Sequence, residues 1–250
     1  LLSNEIFADT VIRVDNAPDT RIGGPNRDDR NVIGAGAQFG IRLDPSASGH
    51  RVVQGNSIGV NRSGTGSLAN GIGVRIDSSK SDLIISNVIS FNDSHGILVL
   101  GDTLLTQGVT ISNNRIGMRT GNDLLGGNGG NGVRLEGGVA AYIYANQIWN
   151  HPSDGIVVLS TSRANRLTSN NFRNNTLQAI DLSPNGVNPI DLDVGQTGAN
   201  DQQNYPSINT ARGSSSQGRL AGVISSANGT YIMQVFISDN CTNAAGFTQA

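Results

Sequence analysis

Two short segments set an acid beside an imidazole. "NDSHG" supplies Asp93 and His95, and "NHPSDG" supplies His151 and Asp154. Carboxylates and imidazoles are the side chains most often used to move protons near neutral pH, so these four are the candidate catalytic residues. Trp149 lies two residues before His151, and an exposed indole stacks on the apolar face of a sugar ring. A second set is cationic. Arg42, Arg75 and Arg134 occupy the third position of GIRL, GVRI and GVRL, and Arg13 sits in the matching Ile12-Arg13-Val14. A row of guanidinium groups grips carboxylates or sulfates through paired N–H donors. These arginines and Trp149 are the candidate ligand-binding residues, and the ligand they fit is a polysaccharide with acidic groups.

Whether these side chains meet depends on the elements that carry them. Asn followed two residues later by an apolar residue recurs as Asn4/Ile6, Asn31/Ile33, Asn56/Ile58, Asn87/Ile89, Asn114/Ile116, Asn146/Ile148 and Asn170/Phe172, at spacings of 27, 25, 31, 27, 32 and 24. A second column, small-apolar-any-apolar, reads GIRL, GVRI, GILV, GVRL, GIVV and AIDL. Short period-2 segments thus alternate with Gly/Asn turns, and helical periodicity is missing. Composition agrees: 33 Gly and 29 Asn, with 4% aromatic and 14% charged residues, suit turns rather than helix interiors. A unit this short cannot bury its own apolar face. Seven stacked at the interstrand spacing of ~4.8 Å give a rod of about 34 Å with one continuous inner column.

The expected fold is therefore all-β, a single-stranded parallel solenoid of about seven coils over residues 1–208 with a C-terminal cap. Residues 209–218, which include "ARGSSSQG", read as a linker, and in 219–250 "RLAGVIS" and "TYIMQVFIS" flank "SANG", a hairpin signal.

Several runs carry a resemblance: "TRIGGPNRDDRNVIG" at 20–34, the loops beginning "NSIGVNRSGTG" and "NRIGMRTGND", and the tail "AIDLSPNGVNPIDLDVGQTGANDQQNYPSI" at 179–208. They resemble the right-handed parallel β-helix repeat proteins of bacterial surfaces, the pectate-lyase-like superfamily. The resemblance implies a secreted or cell-surface protein, and a β-sandwich after the helix of which 219–250 would be the first hairpin. That superfamily contains lyases, hydrolases and non-catalytic adhesins, so two functions stay open: a module that binds polysaccharide along an outward sheet face, or a polysaccharide lyase or glycoside hydrolase with a cleft on the side of the helix.

The repeat register sorts these options. Identical Asn residues at one turn form an internal amide ladder. The arginine column has an acidic one two positions on, Asp15, Asp44, Asp77 and Glu136, which either neutralises it as a solvated face or leaves it free to hold a glycan. From Asn to the next small residue takes nine residues in four repeats, but 17 from Asn56 to Gly73 and 18 from Asn114 to Gly132, so two loops project from one side. His95 and Asp154 fall two coils apart, ~10 Å along the axis, where they flank a substrate without touching each other. A lyase base would have to be Arg, since Lys80 is the lone lysine and lies in a turn. Neighbouring arginines hold Asp15, Asp44 and Asp77 ionised, against the raised acid of a hydrolase.

No cofactor or metal centre is expected. Two weaker Ca²⁺ options are the single nonapeptide-like unit in "TGNDLLGGNGGNG" at 120–132 and the tail carboxylates Asp181, Asp191, Asp193 and Asp201; the tail reads more economically as an end cap. A net charge of −2 provides no electrostatic basis for nucleic-acid binding. Without an apolar run of ~18 residues there is no basis for membrane insertion. The lone Cys241 cannot make an internal disulfide, and a monomer is expected.

Overall fold

The computed structural model describes residues 9–102, 107–118, 126–159, 161–186, 188–190, 198–202, 204–213, 217–225 and 233–235. Within them the chain coils through three parallel sheets in turn. The first sheet has seven strands, Thr10–Val14, Phe39–Leu43, Ile72–Asp77, Ile97–Leu100, Val133–Glu136, Ile156–Val158 and Ile180–Leu182. The second has six, Arg21–Gly23, Val52–Gln54, Leu83–Ile85, Gln107–Ser112, Ala140–Tyr144 and Arg166–Thr168. The third also has six, Val32–Ile33, Ser57–Ile58, Val88–Ile89, Arg115–Ile116, Gln147–Trp149 and Asn171–Arg173. Each strand pairs with its counterpart one coil away, so the expected all-β parallel solenoid is what forms. Asn4/Ile6, the first repeat match, lies outside the described residues.

Register stacks like on like. Ile22, Val53, Ile84, Ile111, Ile143 and Leu167 form one inward column of the second sheet. Ile33, Ile58, Ile89, Ile116, Ile148 and Phe172 form that of the third. With the alternate residues of the first sheet they make one buried aliphatic cluster, in which each full side-chain burial contributes roughly 1.5–3 kcal/mol. Corners between the second and third sheets are turned by a residue at positive φ, Gly55, Ser86, Asn113, Ala145 and Ser169. The ladder Asn follows it directly.

The C-terminal end is covered. Ala199 is fully buried, the Asn200 N–H donates to the Ser162 carbonyl at 2.8 Å, and the Gln234 amide accepts from Ser169 N–H at 2.6 Å and donates to the Leu167 carbonyl at 2.9 Å. Gln234 thus completes the edge of the second sheet much as another strand would. The hairpin differs from the sequence expectation. Ser207–Gly213 pairs antiparallel with Gly218–Val223, so most of the supposed linker is strand: Ser and Gly content marks a turn but does not say where the flanking strands begin. The "SANG" turn lies outside the described residues, as does most of "TYIMQVFIS".

Candidate functional site

The two long connections both leave the corner between the third and first sheets. In the first, Val60 and Ser67 make an antiparallel bridge and Asn61 Oδ1 accepts from the N–H groups of Thr65 and Gly66 at 3.2 Å. The second includes residues 119–125, outside those described, and with them half of the nonapeptide-like unit. Asp191 and Asp193 lie outside them too. No cluster of three or more His, Cys, Asp or Glu side chains suited to a metal occurs among the described residues. None of their helices is long and apolar enough to cross a membrane.

This corner carries a second amide ladder that the sequence reading missed. Asn70 Nδ2 donates to Asn92 Oδ1 and Asn92 Nδ2 to Asn128 Oδ1, both at 2.8 Å. At the next coil the ladder residue is His151. Its Nδ1 accepts from the Asn128 N–H at 3.3 Å, and its own N–H donates to Asn175 Oδ1 at 3.1 Å. Gly117, at φ +80°, makes room for the ring: a Cβ there would stand 2.8 Å from His151 Cε1 and 1.9 Å from the Trp149 carbonyl oxygen. His151 is 1% exposed. Acceptance at Nδ1 puts the proton of the neutral ring on Nε2, which lies buried toward the Ile116 carbonyl without reaching hydrogen-bond geometry. Burial pushes the His151 pKa down to about 4.

Two residues before the first-sheet strands that begin at Ile97, Val133 and Ile156, a further column links the other candidates. His95 Nδ1 accepts from the Asn131 N–H at 3.1 Å. The Asn131 side chain donates to Asp154 Oδ2 at 3.2 Å, and Asp154 Oδ1 accepts from the Gln178 N–H at 2.9 Å. His95 and Asp154 are thus two coils apart, as expected, and joined through Asn131. Burial, with the Arg134 charge, lowers the His95 pKa. Asp93 faces solvent. Of the four candidate catalytic residues, three hold backbone N–H groups of neighbouring coils.

Trp149 requires a correction, for the indole is 9% exposed rather than open. Its Nε1 donates to Asn171 Oδ1 at 2.8 Å and the Arg173 guanidinium lies 5.4 Å over the ring. Its partners come from the next coil, which a list of outward residue types does not reveal.

The arginines stand in register, Arg13 beside Arg42 beside Arg75, then Leu98, then Arg134. Arg13 pairs with Asp44, Arg42 bridges Asp44 at 2.7 Å and Asp77 at 3.1 Å, and Arg75 meets Asp77 at 2.8 Å. Arg134 meets Glu136 at 3.1 Å. Arg13, Arg75 and Arg134 make these contacts through Nε, and among the described residues their terminal nitrogens have no hydrogen-bond partner. Phe39 lies under two of the guanidinium groups, 5.6 Å from Arg42 and 5.1 Å from Arg75.

One further charged site escaped the sequence reading. Arg51, 1% exposed, makes a two-pronged pair with Asp82 at 3.1 and 2.7 Å and donates to the Asp44 carbonyl at 2.8 Å. Its partners lie one coil on and across a corner, and only the register brings them together. Burial, with the Asp154 charge adding, pushes the Asp181 carboxyl up to about 6, although it accepts from the Gly186 N–H at 3.2 Å.

The model of a family described as right handed beta helix region matches residues 40–193. Comparison with curated proteins and with solved structures gives no match.

Proposed function

Because the chain belongs to the right-handed β-helix family, which fixes a scaffold and not a chemistry, we propose that it is a secreted or cell-surface module that binds acidic polysaccharide along the outer face of its first sheet, without turnover. The observation that carries this reading is the state of the arginines. Arg13, Arg75 and Arg134 engage carboxylates by Nε alone and keep side-chain exposures of 58%, 26% and 30%. Each therefore has the outer edge of its guanidinium, with two parallel N–H donors, available to a carboxylate or sulfate. Asp44 and Asp77 hold the groups in a row at the strand spacing, which suits an extended chain better than a single small anion.

The same contacts disfavour catalysis: the neutral imidazoles of His95 and His151 commit their one ring lone pair to a backbone N–H, and Asp154 is engaged at both oxygens, Oδ1 by the Gln178 N–H and Oδ2 by the Asn131 amide.

Arg42 bridges both carboxylates, so Arg13→Gln with Arg75→Gln removes two cations while leaving Asp44 and Asp77 paired. The double variant is expected to fold like the parent and to bind a galacturonate oligosaccharide at least about tenfold more weakly in calorimetry, with the parent's affinity falling as salt rises. Unchanged affinity overturns the face assignment. New absorbance near 235 nm or new reducing ends on incubation with uronic or neutral glycans overturns the non-catalytic reading.

A further inference from the structure

The outer face of the second sheet carries two tyrosines whose hydroxyls have no hydrogen-bond partner among the described residues. Because Ile111, Ile143 and Leu167 point into the core, their sequence neighbours point outward. Thr110, Tyr142 and Arg166 form one outward column, and Ser112, Tyr144 and Thr168 run beside it. At the C-terminal end the rings of Tyr142 and Tyr144 stack with centroids 4.3 Å apart and 26° between their planes. The Arg166 guanidinium lies 5.2 Å over the Tyr142 ring. Both tyrosines are half-buried and Arg166 is exposed. Neither phenol has a hydrogen-bond partner among the described residues, and Tyr144 has no second ring or guanidinium against it there. The two outward columns along the whole sheet hold Arg21 and Arg166 and no acidic residue.

These features point to one class of ligand. A stacked tyrosine pair on a parallel sheet is a stiff apolar platform with hydroxyls at its rim, matching a pyranose that has a C–H face and a polar edge. Stacking on Tyr142 orients the Arg166 guanidinium and leaves its N–H edges free for bidentate contact with an anion. With cations at both ends of the columns and no carboxylate between, the local potential favours an anionic chain. We propose that Tyr142, Tyr144 and Arg166 form a second saccharide site. A sugar ring lies on the open face of Tyr144, and the acidic group of a neighbouring sugar in the same chain is held by Arg166. The site rests on the reading of the module as a glycan binder, but it uses a different face.

The test is calorimetry with a galacturonate tetrasaccharide, a heparin-derived sulfated tetrasaccharide and cellotetraose on the full chain. Tyr144→Ala should weaken every ligand that the parent binds by about tenfold, and Arg166→Gln should weaken only the acidic ones by a similar factor. Tyr144→Phe, which keeps the ring, should stay within about threefold. In the unaltered protein, selective saturation of tyrosine ring protons should transfer to the bound sugar, a readout that does not depend on how well a variant folds. The carboxylated and sulfated arms report which acid group is preferred.

If Tyr144→Ala and Arg166→Gln bind like the parent while the Arg13/Arg75 double variant does not, this site is overturned and the first-sheet reading stands. The reverse pattern overturns the first-sheet reading and keeps this one. Absence of binding by the parent to all three saccharides overturns both. A concentration-dependent dimer in sedimentation that Tyr144→Ala dissolves, with no saccharide transfer from tyrosine, makes the face a contact between copies and overturns the site.

Discussion

Two corners of the solenoid solve the same problem with unequal completeness. Between the second and third sheets, Asn31, Asn56, Asn87, Asn114, Asn146 and Asn170 run without interruption. From Asn56 to Asn146, each Nδ2 donates both to the next Asn and to a backbone carbonyl of the preceding coil, such as Ile84 from Asn114. Between the third and first sheets, the ladder of Asn70, Asn92 and Asn128 meets His151. Imidazole offers one acceptor and one donor where an amide offers more, so among the described residues Asn128 Nδ2 keeps only the Ile89 carbonyl, at 3.2 Å, and His151 Nε2 has no hydrogen-bond partner. A parallel rod tolerates variation in what it displays. A gap in its hydrogen-bonded corners carries the full desolvation cost of the orphaned group.

That contrast is most directly broken by removing one amide from each ladder. Asn114→Ala deletes a side chain that accepts from the Asn87 N–H and Nδ2 at 2.9 and 3.0 Å and donates to Ile84 and Asn146 at 2.7 and 3.0 Å. The expected loss is roughly 3–5 kcal/mol in urea denaturation, because buried partners on both sides are left unmet. Asn128→Ala interrupts a ladder already incomplete and should cost roughly 2–3 kcal/mol. Equal losses would show that the histidine does not weaken its corner.

Acid sharpens the comparison next. His151 titrates at about 4 in the folded chain against 6.5 when free, so its neutral form belongs to the native state. Its contribution is complete above pH 6.5 and is lost as the pH falls toward 4, amounting to roughly 3 kcal/mol at the acid limit. His151→Asn restores the amide and should remove that part of the acid sensitivity, read as a flatter dependence of the urea midpoint on pH between 7 and 4. A variant as acid-sensitive as the parent would sink the assignment.

The same contrast explains how much of the molecule was legible in the sequence. The first ladder shows because the apolar residue two after each Asn keeps its place, as does the one three before it in every repeat but that of Asn31, where Asp28 stands, so a fixed count finds it. The second is hidden by the long connections that precede Asn70 and Asn128. Counted backwards from the small residue it is nearly as regular, four residues from Asn92 to Gly96, Asn128 to Gly132, His151 to Gly155 and Asn175 to Ala179. That count would have placed His151 among amides. The first-sheet arginines and their carboxylates were legible because pairs two apart on one strand, or one coil apart, follow from period and register alone. Trp149 and the Tyr142–Tyr144 platform were not, since residue type says nothing of what the next coil lays on a ring: Arg173 and Asn171 cover the indole, whereas among the described residues the one ring or guanidinium against Tyr144 is that of Tyr142. The "Ala-Tyr-Ile-Tyr" alternation was the available signal, two aromatic residues flanking one core residue on the outward face.

The smallest effect lies where the incomplete corner reaches the end of the rod. Asp154 adds its charge to the burial of Asp181, whose carboxyl titrates at about 6 instead of 3.8. The sign is opposite to that of His151. Protonated Asp181 suits the native state, so its contribution is complete below pH 3.8 and is lost as the pH rises through 6. At pH 7 the fold carries a charge that it would hold more easily as a neutral group. Asp181→Asn should therefore stabilise the protein at pH 7, by about 1 kcal/mol once screening near the surface is allowed for. The amide still accepts from the Gly186 N–H, and the gain should shrink to nothing below pH 4. Asp154→Asn should produce a fraction of the same gain without touching Asp181, offset by whatever the Gln178 N–H loses in acceptor strength. Measured together across pH 4 to 8, a gain in Asp181→Asn that persists at the acid end would mean that the carboxyl is not the titrating group.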